Sequence, residues 1–278
     1  MYASFLLTTL LATSSLQASE RIRLLICGDD GGAALSFNLG TIEAHRNGVM
    51  GCANVIVAGP WFPDMARRLK DNPAIGVGVH LDLTAEWAGI KWRPMTGLAS
   101  LGDENGFLPS TTKGFLSLNA PIADVEKELR KQIETARKEI VNVGWLWPHM
   151  GTAVATPELR SLTEKLAREY GLPLLGASGS IRPMRLAPGQ SFADALTKLT
   201  AGDWFFIEHP SVDSPESRAI GHPGNEDVAV RRAEVVRLWT SPEVREIIKR
   251  RNIELLTFEQ TVSAFQPVRK AVDRVTVP

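Results

Sequence analysis

Cysteine is scarce in this chain, with only 2 residues in 278. That excludes a disulfide-rich scaffold and a zinc site built from cysteine clusters. Neither charge sign is in excess, since 31 Lys and Arg balance 31 Asp and Glu, so an electrostatic surface for nucleic acid or anionic membrane is not expected. Internal repeats, low-complexity tracts and a Pro/Gly-rich linker are also missing, which leaves one domain over residues 19–278. With 44% hydrophobic residues, that length can bury one large core.

The first eighteen residues differ in kind from the rest. A short apolar run, Phe5-Leu-Leu-Thr-Thr-Leu-Leu-Ala12, leads to Ser14-Ser-Leu-Gln-Ala18, a small-residue site suited to cleavage after Ala18. Residues 1–18 are therefore expected to be a signal peptide and the mature chain to be exported, periplasmic or secreted, without a membrane anchor. The run is too short to span a bilayer, and no Lys or Arg precedes it. Cys27 and Cys52 are expected to be buried free thiols in the core, with a bond between neighbouring strands as the alternative.

From Arg23 onward, short segments rich in Val, Ile, Leu and Phe alternate with amphipathic ones. Strands are expected at 23–28, 51–58, 74–81, 145–149, 172–176, 203–208 and 253–257, the pattern of a buried parallel sheet. The longest helix is expected from about Pro121 to Val143, with Ile122, Val125, Leu129, Ile133, Ala136 and Ile140 on one face. Thr156-Pro157 and Ser241-Pro242 read as helix starts and Gly171 as a stop. Seven βα units predict a single-domain α/β fold, barrel-like and imperfectly closed. The stretch from Glu86 to Asn119 interrupts this alternation and is expected to be a long loop over the mouth. Its Trp87 and Trp92 would either stack on sugar rings or pack on the rim.

Chemistry concentrates at the strand ends. Asp29 and Asp30 stand side by side where Arg23-Leu-Leu-Ile-Cys-Gly28 gives way to Gly31-Gly32, and buried carboxylates resist desolvation unless something positive lies near. His80 closes Ala74-Ile-Gly-Val-Gly-Val-His80, His149 closes Trp145-Leu-Trp-Pro-His149, and His209 closes Trp204-Phe-Phe-Ile-Glu-His209. Side chains at the carboxyl ends of parallel strands converge on one mouth, and a carboxylate with two imidazoles is a common divalent-metal ligand set. Such donors suit Zn, Co, Ni or Mn and do not exclude Mg. His222-Pro223 repeats the His209-Pro210 pair thirteen residues later, while Asp82 and Asp213 lie close enough in sequence to serve as further ligands.

In their order, these segments resemble the YdjC/ChbG-like carbohydrate deacetylases. The resemblance runs from about Leu24 to Phe258 and rests on Leu25-Ile-Cys-Gly-Asp-Asp-Gly-Gly32, Gly76-Val-Gly-Val-His-Leu-Asp-Leu-Thr84, Pro148-His149, Glu208-His209-Pro210 and Arg232-x-Glu234. It implies that Asp30, His80 and His149 are metal ligands, Asp29 the general base and His209 the general acid. It further implies a divalent metal, Mg or Zn, and a small carbohydrate substrate carrying N-acetyl groups, such as a chitooligosaccharide; a homodimer stays open. Two departures lie beside the site: Gly31 replaces a phenylalanine, and Trp145 and Trp147 precede His149 where the family commonly has Asp-x-His. They keep two alternatives in play, a metal hydrolase of a different amide or ester and a non-catalytic carbohydrate-binding relative.

Overall fold

The strand Ile22–Gly31 (β1) is buried without interruption from Leu24 onward, as a strand covered on both faces must be. In the computed structural model, which describes residues 21–175, 181–222 and 224–265, β1 forms the middle of a parallel sheet. After it come α1 (Leu35–Arg46), β2 (Cys52–Val55), α2 (Phe62–Lys70) and β3 (Gly76–Leu81). The long connection holds α3 (Thr112–Ser117) and leads to α4 (Ile122–Glu139), β4 (Val143–Pro148) and α5 (Pro157–Tyr170). The remainder is β5 (Arg182–Pro183), α6 (Phe192–Lys198), β6 (Gly202–Glu208), α7 (Pro215–Ala219), α8 (Val228–Trp239), α9 (Pro242–Arg250), β7 (Ile253–Leu255) and α10 (Phe258–Phe265). The signal-peptide expectation falls on residues outside the described ones.

The sheet has seven strands in the order β4-β3-β2-β1-β6-β5, with β7 pairing the first half of β1. It curls into a half-barrel, the imperfectly closed α/β fold expected. Near the open side, Leu146 of β4 bridges Leu174, so of the strand expected at 172–176, whose residue 176 lies outside the described ones, residues 172–175 contribute one isolated bridge. Its neighbour Pro173 has no N–H to donate, which limits ladder growth, and the fifth strand forms instead at Arg182–Pro183. Helix starts fall where the caps predict: the Thr156 hydroxyl accepts from Leu159 N and that of Ser241 from Val244 N. Gly171 ends α5 in the left-handed conformation, φ 65°. Helix α4 buries Val125, Leu129, Ile133 and Ala136 but ends at Glu139, where Ile140 turns extended.

One expectation needs correction. Cys27 and Cys52 are directly paired across β1 and β2, with Cα atoms 4.5 Å apart, and form a disulfide. Strand register brought them face to face, and register is not readable from either segment alone. Of the two outcomes open for Trp87 and Trp92 in the connection after β3, packing is the one found, since each is only 3% exposed. Buried Glu128 on α4 accepts from Met95 N, Thr96 N and the Thr96 hydroxyl, and Trp92 Nε1 donates to buried Asp82 Oδ2 at 2.7 Å. Among the described residues, no helix is long and apolar enough to cross a membrane.

Candidate metal centre and active site

Adjacent residues of a regular strand point to opposite faces, so Asp29 and Asp30 could not both reach one mouth without a local break. The break is present: the β1–β2 register shifts between Gly28 and Gly31, and Asp30 has φ 69°. A non-glycine residue in that region is strained, and here the strain brings both carboxylates to the same cavity of about 940 Å³. His80 near the end of β3, His149 directly after β4, and His209 directly after β6 line the same cavity.

Asp30, His80 and His149 form one buried cluster. His80 Nε2 lies 3.4 Å from Asp30 Oδ1, His149 Nδ1 lies 3.6 Å from the same oxygen, and the two ring nitrogens are 3.2 Å apart. The outer ring nitrogens are engaged: His80 Nδ1 bonds the Trp147 carbonyl at 3.1 Å and His149 Nε2 the Glu86 carboxylate at 3.0 Å. In the neutral tautomers whose N–H groups donate outward, both inner nitrogens would present lone pairs. Asp30 Oδ1 is buried and has no hydrogen-bond partner. Three lone pairs at this spacing fit around an ion with ligand bonds of about 2 Å, so the residues suit a divalent cation.

The charges around the cluster point the same way. Burial would raise the Asp30 pKa, but the Arg232 guanidinium, with His209, His80 and His149, holds it well below the usual carboxylate range. Arg232 Nη2 donates to Asp30 Oδ2 at 2.6 Å, its guanidinium stacked over the rings of Phe37 and Trp87. Burial would lower the His149 pKa, yet the charge of Glu86 and its hydrogen bond, with Asp30 and Asp82, raise it to about 9. A proton would therefore compete with any divalent cation for His149 Nδ1.

Asp29 lies outside the cluster of three, with its Oδ2 3.5 Å from His80 Nε2. Its Oδ1 accepts from Asn54 Nδ2 at 2.6 Å and its Oδ2 from Trp147 Nε1 at 2.8 Å. His209 is partly exposed on the cavity wall; burial lowers its pKa, but Asp30, the hydrogen bond to Glu208 and Asp29 outweigh that and raise it. His222 also lines the cavity and stacks on Trp87 with ring centroids 5.7 Å apart, so both His-Pro histidines front the same space. Asp82 stays with Trp92, and Asp213 pairs with Arg218 on the surface; neither joins the cluster. Sequence reasoning missed Glu86 and Asn54 and gave Arg232 no role. Glu86 carries a weak signal, a carboxylate six residues after a strand-end histidine.

Residues 23–250 match the family model described as YdjC-like protein. The chain belongs to that family. Among its YdjC-like relatives, the carbohydrate deacetylase of Geobacillus stearothermophilus is 28% identical over 253 residues, covering 85% of this chain and 96% of its own. The carbohydrate deacetylase of Thermus thermophilus is 30% identical over 224 residues, covering 70% of this chain and 79% of its own. A crystal structure from Enterococcus faecalis V583, provisionally described as a cellobiose-phosphate cleavage protein, superposes with a TM-score of 0.71 at 22% identity. It covers 87% of this chain and 99% of its own length, so the YdjC-like half-barrel is shared nearly end to end.

Proposed function

We propose that this YdjC-like protein is a metal-dependent hydrolase that removes N-acetyl groups from amino sugars or chitooligosaccharide-like substrates, acting after export directed by residues 1–18. The observation that carries the reading is the convergence of three lone pairs from Asp30, His80 and His149 beside a second carboxylate, Asp29, in one cavity. The carbohydrate deacetylase relatives support the substrate class. A divalent cation held by Asp30, His80 and His149, with Zn or Mg as candidates, would supply a Lewis acid for the carbonyl and the means of activating water.

The chain's own groups divide the remaining work. Asp29 takes the proton of the attacking water as its oxygen bonds to the acetyl carbon. The carbon–nitrogen bond then breaks, and protonated His209 gives its proton to the nitrogen, which would otherwise leave poorly. Acetate and a free amino sugar result. Glu86 and the Trp147 carbonyl keep His149 and His80 in the tautomers that face inward, and Arg232 holds Asp30 with Oδ1 free.

The direct test is acetate release from a panel of N-acetylated sugars, with and without added divalent metal. Cation-dependent release from at least one acetamido sugar is expected. Release only from acetate esters would overturn the amide reading, and release unaffected by chelation would overturn the metal.

The role of His209 is tested by the leaving group. His209→Ala is expected to impair hydrolysis of an acetamide by about 10²-fold or more, and that of an activated aryl acetate far less, because a phenolate leaves without a proton. Activation of water is common to both substrates and divides out. Equal loss on both would make His209 a binding or structural residue. A dead His222→Ala beside an unimpaired His209→Ala would move the acid to the other His-Pro pair.

A further inference from the structure

Asp29 and Asp30 are chemically identical neighbours, so something outside them must assign one to the cation and the other to the proton. Their surroundings differ sharply. Asp30 Oδ1 receives no donor, whereas each oxygen of Asp29 receives one: Asn54 Nδ2 at 2.6 Å and Trp147 Nε1 at 2.8 Å. Both donors are neutral, whereas Asp30 is bonded to a charged donor, Arg232. A neutral donor orients a carboxylate without countering its charge.

Asn54 can serve only if its amide points the right way, since its oxygen and nitrogen are interchangeable by rotation. Trp145 Nε1 donates to Asn54 Oδ1 at 2.7 Å, which turns Nδ2 towards Asp29. The contact crosses β3, where Asn54, Gly78 and Trp145 are in register on three adjacent strands. A Cβ at Gly78 would lie 2.1 Å from both Asn54 Oδ1 and Trp145 Nε1, so glycine leaves the space the bond occupies. Trp147 acts on both sides of the site, its carbonyl fixing His80 and its indole fixing Asp29.

We infer that Trp145, Asn54 and Trp147 form a hydrogen-bonded cradle that positions Asp29 as the proton acceptor and keeps it out of the cation's ligand set. The inference rests on the proposed role of Asp29 as base. The three are positioning residues, and the two tryptophans that depart from the family pattern are part of what holds the base.

Trp147→Phe keeps an aromatic side chain and the backbone carbonyl but removes the indole N–H together with its five-membered ring. It is expected to lower kcat on an N-acetylated sugar by about 10- to 100-fold, the usual effect of losing an orienting partner, with KM and metal Kd unchanged within about twofold. In an Asp29→Asn background the same substitution is expected to cost nothing further, because the group it positions is gone. The paired change Asn54→Leu with Trp145→Phe, which removes the Trp145–Asn54 bond from both ends and takes the donor from Asp29 Oδ1, is expected to lower kcat in the same way. Unchanged kcat in Trp147→Phe, beside an inactive Asp29→Asn, would overturn the cradle and leave the base standing. An equal loss from Trp147→Phe in both backgrounds would make the tryptophan a packing residue and overturn it too. Full turnover in Asp29→Asn would remove the base and the cradle together.

Discussion

His80→Ala or His149→Ala is expected to abolish stoichiometric metal binding and to lower turnover by at least about 10³-fold, because a Lewis-acid contribution of several kcal/mol disappears with the ion. Either change leaves only two of the three clustered side chains to hold an ion. Metal analysis after dialysis, with circular dichroism to verify the fold, checks the outcome; full occupancy in either variant would dismantle the cluster as a metal centre. Glu86→Gln should be milder, weakening metal affinity by about 10- to 100-fold, because it orients His149 without being a ligand. Proton linkage offers an independent sign. With the His149 pKa raised to about 9, the ring holds its extra proton at pH 7, so metal uptake there should release close to one proton and weaken as pH falls.

Asp29→Asn is expected to bind metal normally and to lose turnover by about 10²- to 10⁴-fold, the usual contribution of a positioned base. Both Asp29 oxygens accept from N–H groups, so the new amide must aim its NH2 at a donor, Asn54 Nδ2 or Trp147 Nε1. A stability loss of about 1–3 kcal/mol should accompany the substitution. Measured together, metal stoichiometry, melting temperature and acetate release separate the three effects. Loss of the ion in this variant would make Asp29 a ligand and reverse the assignment of the two aspartates.

Much of this site was legible in the chain because it is built at strand ends, where an apolar run stops on a residue that cannot be apolar. Asp29, Asp30, His80, His149 and His209 all carry that mark, and all reach the cavity. What was not legible depends on how strands sit against one another. The bond between Cys27 and Cys52 and the contact from Trp145 to Asn54 follow from register, which no single segment encodes. The left-handed Asp30 that turns two neighbours to one face is a conformation aspartate only occasionally adopts, so its identity gives little warning. For Trp87 and Trp92 the sequence left stacking on sugar rings and packing on the rim equally open. Packing wins because Asp82 and Glu128, polar residues in otherwise apolar surroundings, anchor that stretch inward.

That anchoring alters how the cavity meets its visitor. The wall after β3 is fastened to α4 through Glu128 and to the strand layer through Asp82, both with no solvent exposure. A wall fastened in this way has already surrendered its conformational freedom when the chain folds, so little ordering remains to oppose association. Recognition here resembles insertion into a preformed mould more than closure of a clasp, and discrimination among ligands should fall to the fixed outline of the cavity.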